Sequence, residues 1–145
     1  GESREQGLTR GRDFLHPILR FAVQFPDAWP IVNSAESVTA QPENDESVAM
    51  LLDIVDPGGR SAAAAGRAQM EAVGFTVRSS ETVTINGLQA WVGIFDGGDE
   101  RARHTVRAAF ISHTGRLYRL AGLAPSAQFG RVDPVFRQAI GSFRG

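Results

Sequence analysis

Apolar and polar residues alternate most regularly in two stretches. In the first, Leu19, Phe21, Val23 and Phe25 alternate with Arg20, Ala22 and Gln24, which gives an extended strand one large apolar face and one small or polar face. Pro26 has no N–H for a ladder and closes the strand, Asp27-Ala28 makes a turn, and Trp29 returns a large ring towards the core. In the second, Val83 and Ile85 alternate before Asn86-Gly87, and Leu88, Ala90, Val92 and Ile94 alternate after it. That is the pattern of a two-residue hairpin with a type I′ turn.

The remaining elements are set around these two. Residues 1–11 are polar with no apolar period and read as a linker or flexible arm, leaving 12–145 as a single domain. Arg12 to Leu15 reads as a short strand before His16-Pro17, and Ile31-Val32 and Val38-Thr39 as two more, joined by the polar turn Asn33 to Glu36. Ser47 to Val55 is a nearly continuous apolar run ended by Asp56-Pro57-Gly58-Gly59, the pattern of a central strand buried on both faces. Ser61 to Val73 reads as a helix capped by Ser61 and stopped at Gly74, with Phe75 folding back on its last turn; its small alanines place it close to a sheet. A second hairpin joins His104–Ser112 to Gly115–Leu123 through His113-Thr114-Gly115. Asp133-Pro134 has the form of an N-cap and first turn for a last helix, with Val132, Phe136, Ile140 and Phe143 on one face. The order predicts an α+β fold, an antiparallel β-sheet with helices packed on it.

Composition narrows the function classes. A chain of 145 residues, 42% hydrophobic, is long enough to bury roughly 68–70% of its unfolded surface as one unit. There is no cysteine, so disulfide and thiolate chemistry are excluded. No apolar run approaches the ~20 residues of a membrane helix, which argues against membrane insertion. With 15 basic and 16 acidic residues the net charge is -1, unlike the strongly basic footprint of a nucleic-acid binder. Every basic residue is arginine, so charged contacts carry its planar, bidentate chemistry.

The residues supply no catalytic set and no metal site. His16, His104 and His113 lack a second ligand at helical spacing, and there is no H-E-x-x-H. No G-x-S-x-G elbow occurs, and Ser112 and His113 are strand neighbours whose side chains point to opposite faces. Gly58-Gly59-Arg60 and Gly97-Gly98-Asp99 lack the spacing of a phosphate cradle, and the acidic pairs at Glu43 to Glu46 and Asp99-Glu100 lie in polar loops.

Recognition is the remaining class. If Leu88, Ala90, Val92 and Ile94 face the core, Trp91 and Phe95 face the other way. With Val106, Ala108 and Phe110 turned inward, Arg107 joins them, as does Arg119. Trp91, Phe95, Arg107 and Arg119 would then form an aromatic and arginine surface for a protein partner. The alternative is that a helix or the N-terminal segment covers this face and makes Trp91 second-layer core. A different function class is a carrier of a small apolar ligand, with Phe129, Phe136 and Tyr118 lining a pocket between the last helix and the sheet.

The run "RDFLHPILRFAVQFPDAW" resembles the opening of the domain that follows the catalytic and helical parts of certain bacterial periplasmic zinc metallopeptidases. The similarity recurs at "VTINGLQAW", "GRLYRLAG" and the final "SFR". Arg20 and Ala28 stand where that pattern carries glycine. A strand closed by Pro-x-x-Trp is also similar to the first core strand of PsbP-like domains, named for an extrinsic subunit of photosystem II. The resemblance implies a PsbP-like α/β/α sandwich serving as a non-catalytic accessory domain in the periplasm or cell envelope. It implies a protein partner or protease substrate, no cofactor in this domain, and a zinc ion held by the parent protein outside this chain. A stand-alone binding domain of the same fold is the alternative.

Overall fold

Two sheets and two helices build the molecule, and a computed structural model describes residues 6–145 of it. Residues 1–5 of the expected arm lie outside the described residues; Leu8–Arg10 of that arm form strand β1, paired antiparallel with β2 (Asp13–His16). β2 pairs in turn with β3 (Phe21–Gln24), the strand expected from the first alternating stretch. The larger sheet has seven strands: β4 (Ile31–Asn33), β5 (Ser37–Ala40), β6 (Ala49–Val55), β7 (Phe75–Ile85), β8 (Leu88–Gly98), β9 (Arg103–His113) and β10 (Arg116–Pro125). Their spatial order is β4-β5-β6-β10-β9-β8-β7, and every neighbouring pair is antiparallel.

Helix α1 (Ala62–Ala72) covers one face of this sheet, and α2 (Ser126–Gly141) with the three-stranded sheet covers the other. The start of α1 follows from Ser61, whose hydroxyl accepts a hydrogen bond from the Ala64 N–H at 3.1 Å. Its end follows from Gly74, at φ +87°. Asn86 and Gly87 both have positive φ, as a type I′ turn requires, and so do Thr114 and Gly115. The second hairpin thus turns on two residues, not three, and His113 belongs to β9.

Three readings of the sequence are corrected. The last helix begins at Ser126, seven residues before Asp133, and Pro134 lies inside it. Pro134 and Gly130, one turn earlier, are both exposed, so water can serve the carbonyl that the proline leaves without a helical donor. The Asp133 carboxylate does not cap; it is gripped by Arg107. Secondly, β6 is not buried along both faces: Met50 and Leu52 are buried on the α2 side, but Ile54 on that same side is 49% exposed, and Leu51 and Asp53 on the α1 side are only partly covered. Thirdly, β7 begins at Phe75, directly after the helix stop, and carries a bulge between Val77 and Ser79 that leaves Arg78 out of register with β8.

The C-terminus ties the layers together. Arg144 and Ala22 exchange backbone hydrogen bonds of 2.9 and 3.0 Å, so the chain end extends the small sheet beside β3. The Asn86 amide donates to the carbonyls of Gly141 and Phe143 at 3.0 and 2.7 Å, joining the first hairpin turn to the same segment. Phe21, Tyr118 and Phe143 then pack together, with centroids 4.9 to 5.6 Å apart, Phe21 stacked on Phe143 and Tyr118 tilted against both. Fully burying an aromatic ring of this kind contributes about 1.5–3 kcal/mol, so this trio holds the small sheet against the large one.

Candidate functional site

The four residues expected on one recognition face do not share one. Cross-strand partners in a sheet point the same way, and the register pairs Trp91 with Phe110, Phe95 with Val106 and Ile94 with Arg107. Val106, Ala108 and Phe110 therefore lie with Trp91 and Phe95, while Arg107 lies on the opposite, α2 side. Sequence alternation in β9 is apolar on both faces, Val106-Ala108-Phe110 and Ala109-Ile111, so it could not choose between them. Only pairing with β8 does. Trp91 is 4% exposed and Phe95 fully buried under α1, with the Arg67 guanidinium 5.7 Å from the Trp91 ring centroid.

Both arginines have carboxylate partners. Arg107 donates from Nε and Nη2 to the two carboxylate oxygens of Asp133 at 2.7 and 2.9 Å, pinning β9 to α2. Arg119 grips Asp53 in the same bidentate way at 2.9 and 2.7 Å, joining β10 to β6 on the α1 side. Their forks are spent on the fold. A chain of polar side chains links β7 to α2: Arg78 donates to Asp96, Thr105 donates to Asp96 at 2.8 Å, and Thr105 and Ser126 share a 2.8 Å hydrogen bond. The Arg78 guanidinium holds the Asp96 carboxyl below its ordinary range, with Thr105 adding to the effect. No histidine enters this chain, and no group of three or more acidic or histidine side chains among the described residues is placed to hold a metal ion.

A concave feature lies between the two sheets. It has a volume of about 530 Å³. Phe14, Leu19 and Phe21 of the N-terminal segment form one wall, Val38, Leu52 and Ile54 of β5 and β6 the other, with Tyr118 between; Asn33 and the Ser34 to Ser37 turn border it. The short strands β4 and β5 expected from the sequence supply its rim. Tyr118 is 1% exposed, yet its hydroxyl has no hydrogen-bond partner among the described residues. Burial raises the Tyr118 pKa, so the phenol keeps its proton. Asn33 donates from Nδ2 to the carbonyls of Gln6 and Gly7 at 2.9 and 3.4 Å, and its Oδ1 is buried without a donor. His16 Nδ1 accepts from the Leu19 N–H at 3.0 Å, which puts the proton of the neutral ring on Nε2.

Of the three residues expected to line a carrier pocket, only Tyr118 does so. Phe129 and Phe136 are packed together in the core beneath α2, 6.2 Å between centroids. The cavity is displaced because α2 seats tightly on the sheet, where Phe136 covers Gly122. What opens instead is the seam between α2's neighbour, the small sheet, and β4 to β6. No sequence period marks such a seam, since its walls come from strands far apart in the chain.

No protein-family model and no curated protein matches the chain. Solved structures do. The cyanobacterial PsbP protein CyanoP of Synechocystis sp. PCC 6803 superposes with a TM-score of 0.69 at 13% identity, over 95% of each chain. A protein of unknown function from Pseudomonas aeruginosa, described as a putative regulator, gives 0.59 at 18% identity over 83% of this chain and 88% of its own. LpqN of Mycobacterium tuberculosis, involved in cell envelope biogenesis, gives 0.59 at 11% identity over 93% of this chain and 84% of its own. The chain has the PsbP-like fold, an α+β sandwich of antiparallel sheet and flanking helices.

Proposed function

We propose that this chain is a non-catalytic binding domain of a protein that works in the periplasm or cell envelope, and that it takes a small, largely apolar ligand in the pocket between its two sheets. The observation that carries the reading is the pocket itself. Its volume falls within the ~300–1,000 Å³ of small-molecule sites, and side chains from both sheets and from the Ser34 to Ser37 turn line it. The envelope assignment draws support from LpqN, which shares the fold and is described as acting in cell envelope biogenesis. No helix among the described residues is long and apolar enough to cross a membrane. Native mass spectrometry of the purified domain tests the reading: a small molecule that co-purifies, and is lost on Ile54→Arg, is the expected result. A protein of bare mass that takes up no added amphiphile refutes it.

A second reading, an accessory domain of an exported zinc metallopeptidase, rests on a specific agreement. Arg20 and Ala28, which stand where the metallopeptidase pattern carries glycine, have φ of +62° and +63°. These are left-handed conformations that favour glycine. In this reading the domain recognises substrate or protein partners through its loops, and zinc belongs to the parent protein. The coding sequence upstream of Gly1 decides it: an H-E-x-x-H helix there supports the reading, and its absence refutes it.

A further inference from the structure

A second concave feature, of about 390 Å³, lies on the α2 side of the large sheet and shares no lining residue with the pocket between the sheets. The loop from Pro42 to Val48, which joins β5 to β6, forms one wall, Arg131 and Val135 of α2 form another, and Trp29 borders both. We infer that this cleft binds a neutral pyranose sugar, with the ring against Trp29 and Val135 and its hydroxyls bridging Asp45 and Arg131. The side chains assigned to the ligand are open to it: Asn44 and Arg131 are exposed, and Trp29, Asp45 and Val135 are partly so. Behind them Val48 and Val132 are buried, and Trp29 is anchored by a perpendicular contact with Phe136, 6.4 Å between centroids.

The polar groups of the cleft are mixed in kind. Asp45 Oδ1 accepts from the N–H and the hydroxyl of Ser47, which fixes the carboxylate in place. These bonds hold its carboxyl below the ordinary range, and the Arg131 charge adds to the effect. Arg131 thus acts on Asp45 across the cleft, yet no ion pair joins them among the described residues. The guanidinium donates to Gln128 Oε1 at 3.2 Å and keeps its other N–H groups for solvent or a ligand, and Asn44 has no hydrogen bond to a described residue. A carboxylate only accepts, a guanidinium only donates and an amide does both. Hydroxyls on adjacent ring carbons serve all three, whereas a cation or an anion meets one like charge. An amino-acid zwitterion meets both charges, but exposed ion pairs contribute little in water. Contact area on Trp29 and Val135 must therefore supply much of the hold, and a pyranose carries C–H surface and hydroxyls on one rigid frame.

The test is a titration of the whole chain followed through its indole N–H signals in proton–nitrogen correlation spectra. Trp29 and Trp91 are the two tryptophans, and Trp91, buried under α1, is the internal control. Methyl glycosides of glucose, galactose and mannose are added to about 100 mM, beside leucine and glycerol. At least one glycoside is expected to shift Trp29 alone with a Kd of about 1–10 mM. Asn44→Ala and Arg131→Ala, both at exposed positions, should each raise that Kd about threefold or more. Ile54→Arg, in the pocket between the sheets, should leave it unchanged. The inference is overturned if no glycoside shifts Trp29, if leucine or glycerol shifts it as strongly, or if the Kd is unchanged in both variants. Loss of sugar binding in Ile54→Arg also overturns it, because the sugar would then sit between the sheets.

Discussion

Gly66 is the position where two stability rules oppose each other, and the structure says which wins. It lies in the middle of α1, on the side facing the sheet, and a Cβ there would stand 2.7 Å from Phe110 Cδ2 and 2.9 Å from Trp91 Cε3. Carbon pairs are comfortable at about 3.5–4.0 Å, so the methyl is short of room by about 0.8 Å against two rings at once. Both rings are buried and packed against each other at 6.0 Å, so neither can turn away freely. Overpacking costs about 1–3 kcal/mol, and contact with two buried rings at once places this site in the upper half of that range, about 2–3 kcal/mol. Against it, replacing glycine by alanine inside a helix gains about 1 kcal/mol. Gly66→Ala should therefore lose about 1–2 kcal/mol, seen as a lower urea midpoint at constant slope and a Tm lower by ~3–8 °C. Ala64→Gly, on the exposed side of the same helix, is the control and should lose about 1 kcal/mol by propensity alone. A Gly66→Ala variant as stable as the parent, or more so, would show that α1 does not sit as close to Trp91 and Phe110 as the structure has it.

Other substitutions probe different links. Ala65→Leu, at a fully buried alanine on the same helix, should cost about 1–3 kcal/mol, read from its melting temperature. Ala28→Gly relieves a left-handed residue and should stabilise by about 0.5–1 kcal/mol in urea titration; a neutral or destabilising result rejects the strain at that turn. Arg107→Ala strips a partly buried Asp133 of both its hydrogen bonds and should cost about 2 kcal/mol, and a double-mutant cycle with Asp133→Asn should recover part of that loss. Asp96 has a folded-state pKa below its unfolded one, so it contributes stability above the ordinary aspartate range and loses it as pH falls through the lowered folded value. Between neutral pH and about pH 3 the parent should thus lose more stability than Asp96→Asn; equal losses would remove Asp96 from the acid response.

What the sequence carried was local. Ser61 with Gly74 and Asn86-Gly87 each fix a backbone geometry through residues a few positions apart and appear as read, whereas the strand read from Leu19 starts only at Phe21, because Leu19 and Arg20 lie in a turn with Arg20 at φ +62°. What it did not carry depends on partners distant in the chain. Asp133-Pro134 has the form of a helix start, but the carboxylate is claimed by an arginine 26 residues away and the helix had already begun at Pro125-Ser126. The facing of Arg107 hangs on pairing with β8, because both faces of β9 are apolar. The pocket is of the same kind: Tyr118, Asn33 and Phe14 line it from strands far apart in the chain, and no spacing announces it.

The bulge in β7 bears on how molecules of this protein meet one another. β7 is the outermost strand of the seven, eleven residues long, with one side of its backbone facing away from the sheet. A flat strand of that length invites a second copy to add on, and then a third. At Arg78 the strand skips a register position, and the guanidinium folds back onto Asp96 of β8 at 2.8 and 2.6 Å. With its side chain half exposed, this ion pair adds little to the folding free energy. Its effect is on the outline of this edge, which is twisted and charged where an incoming strand would need it straight, so β7 is a poor template for a second copy.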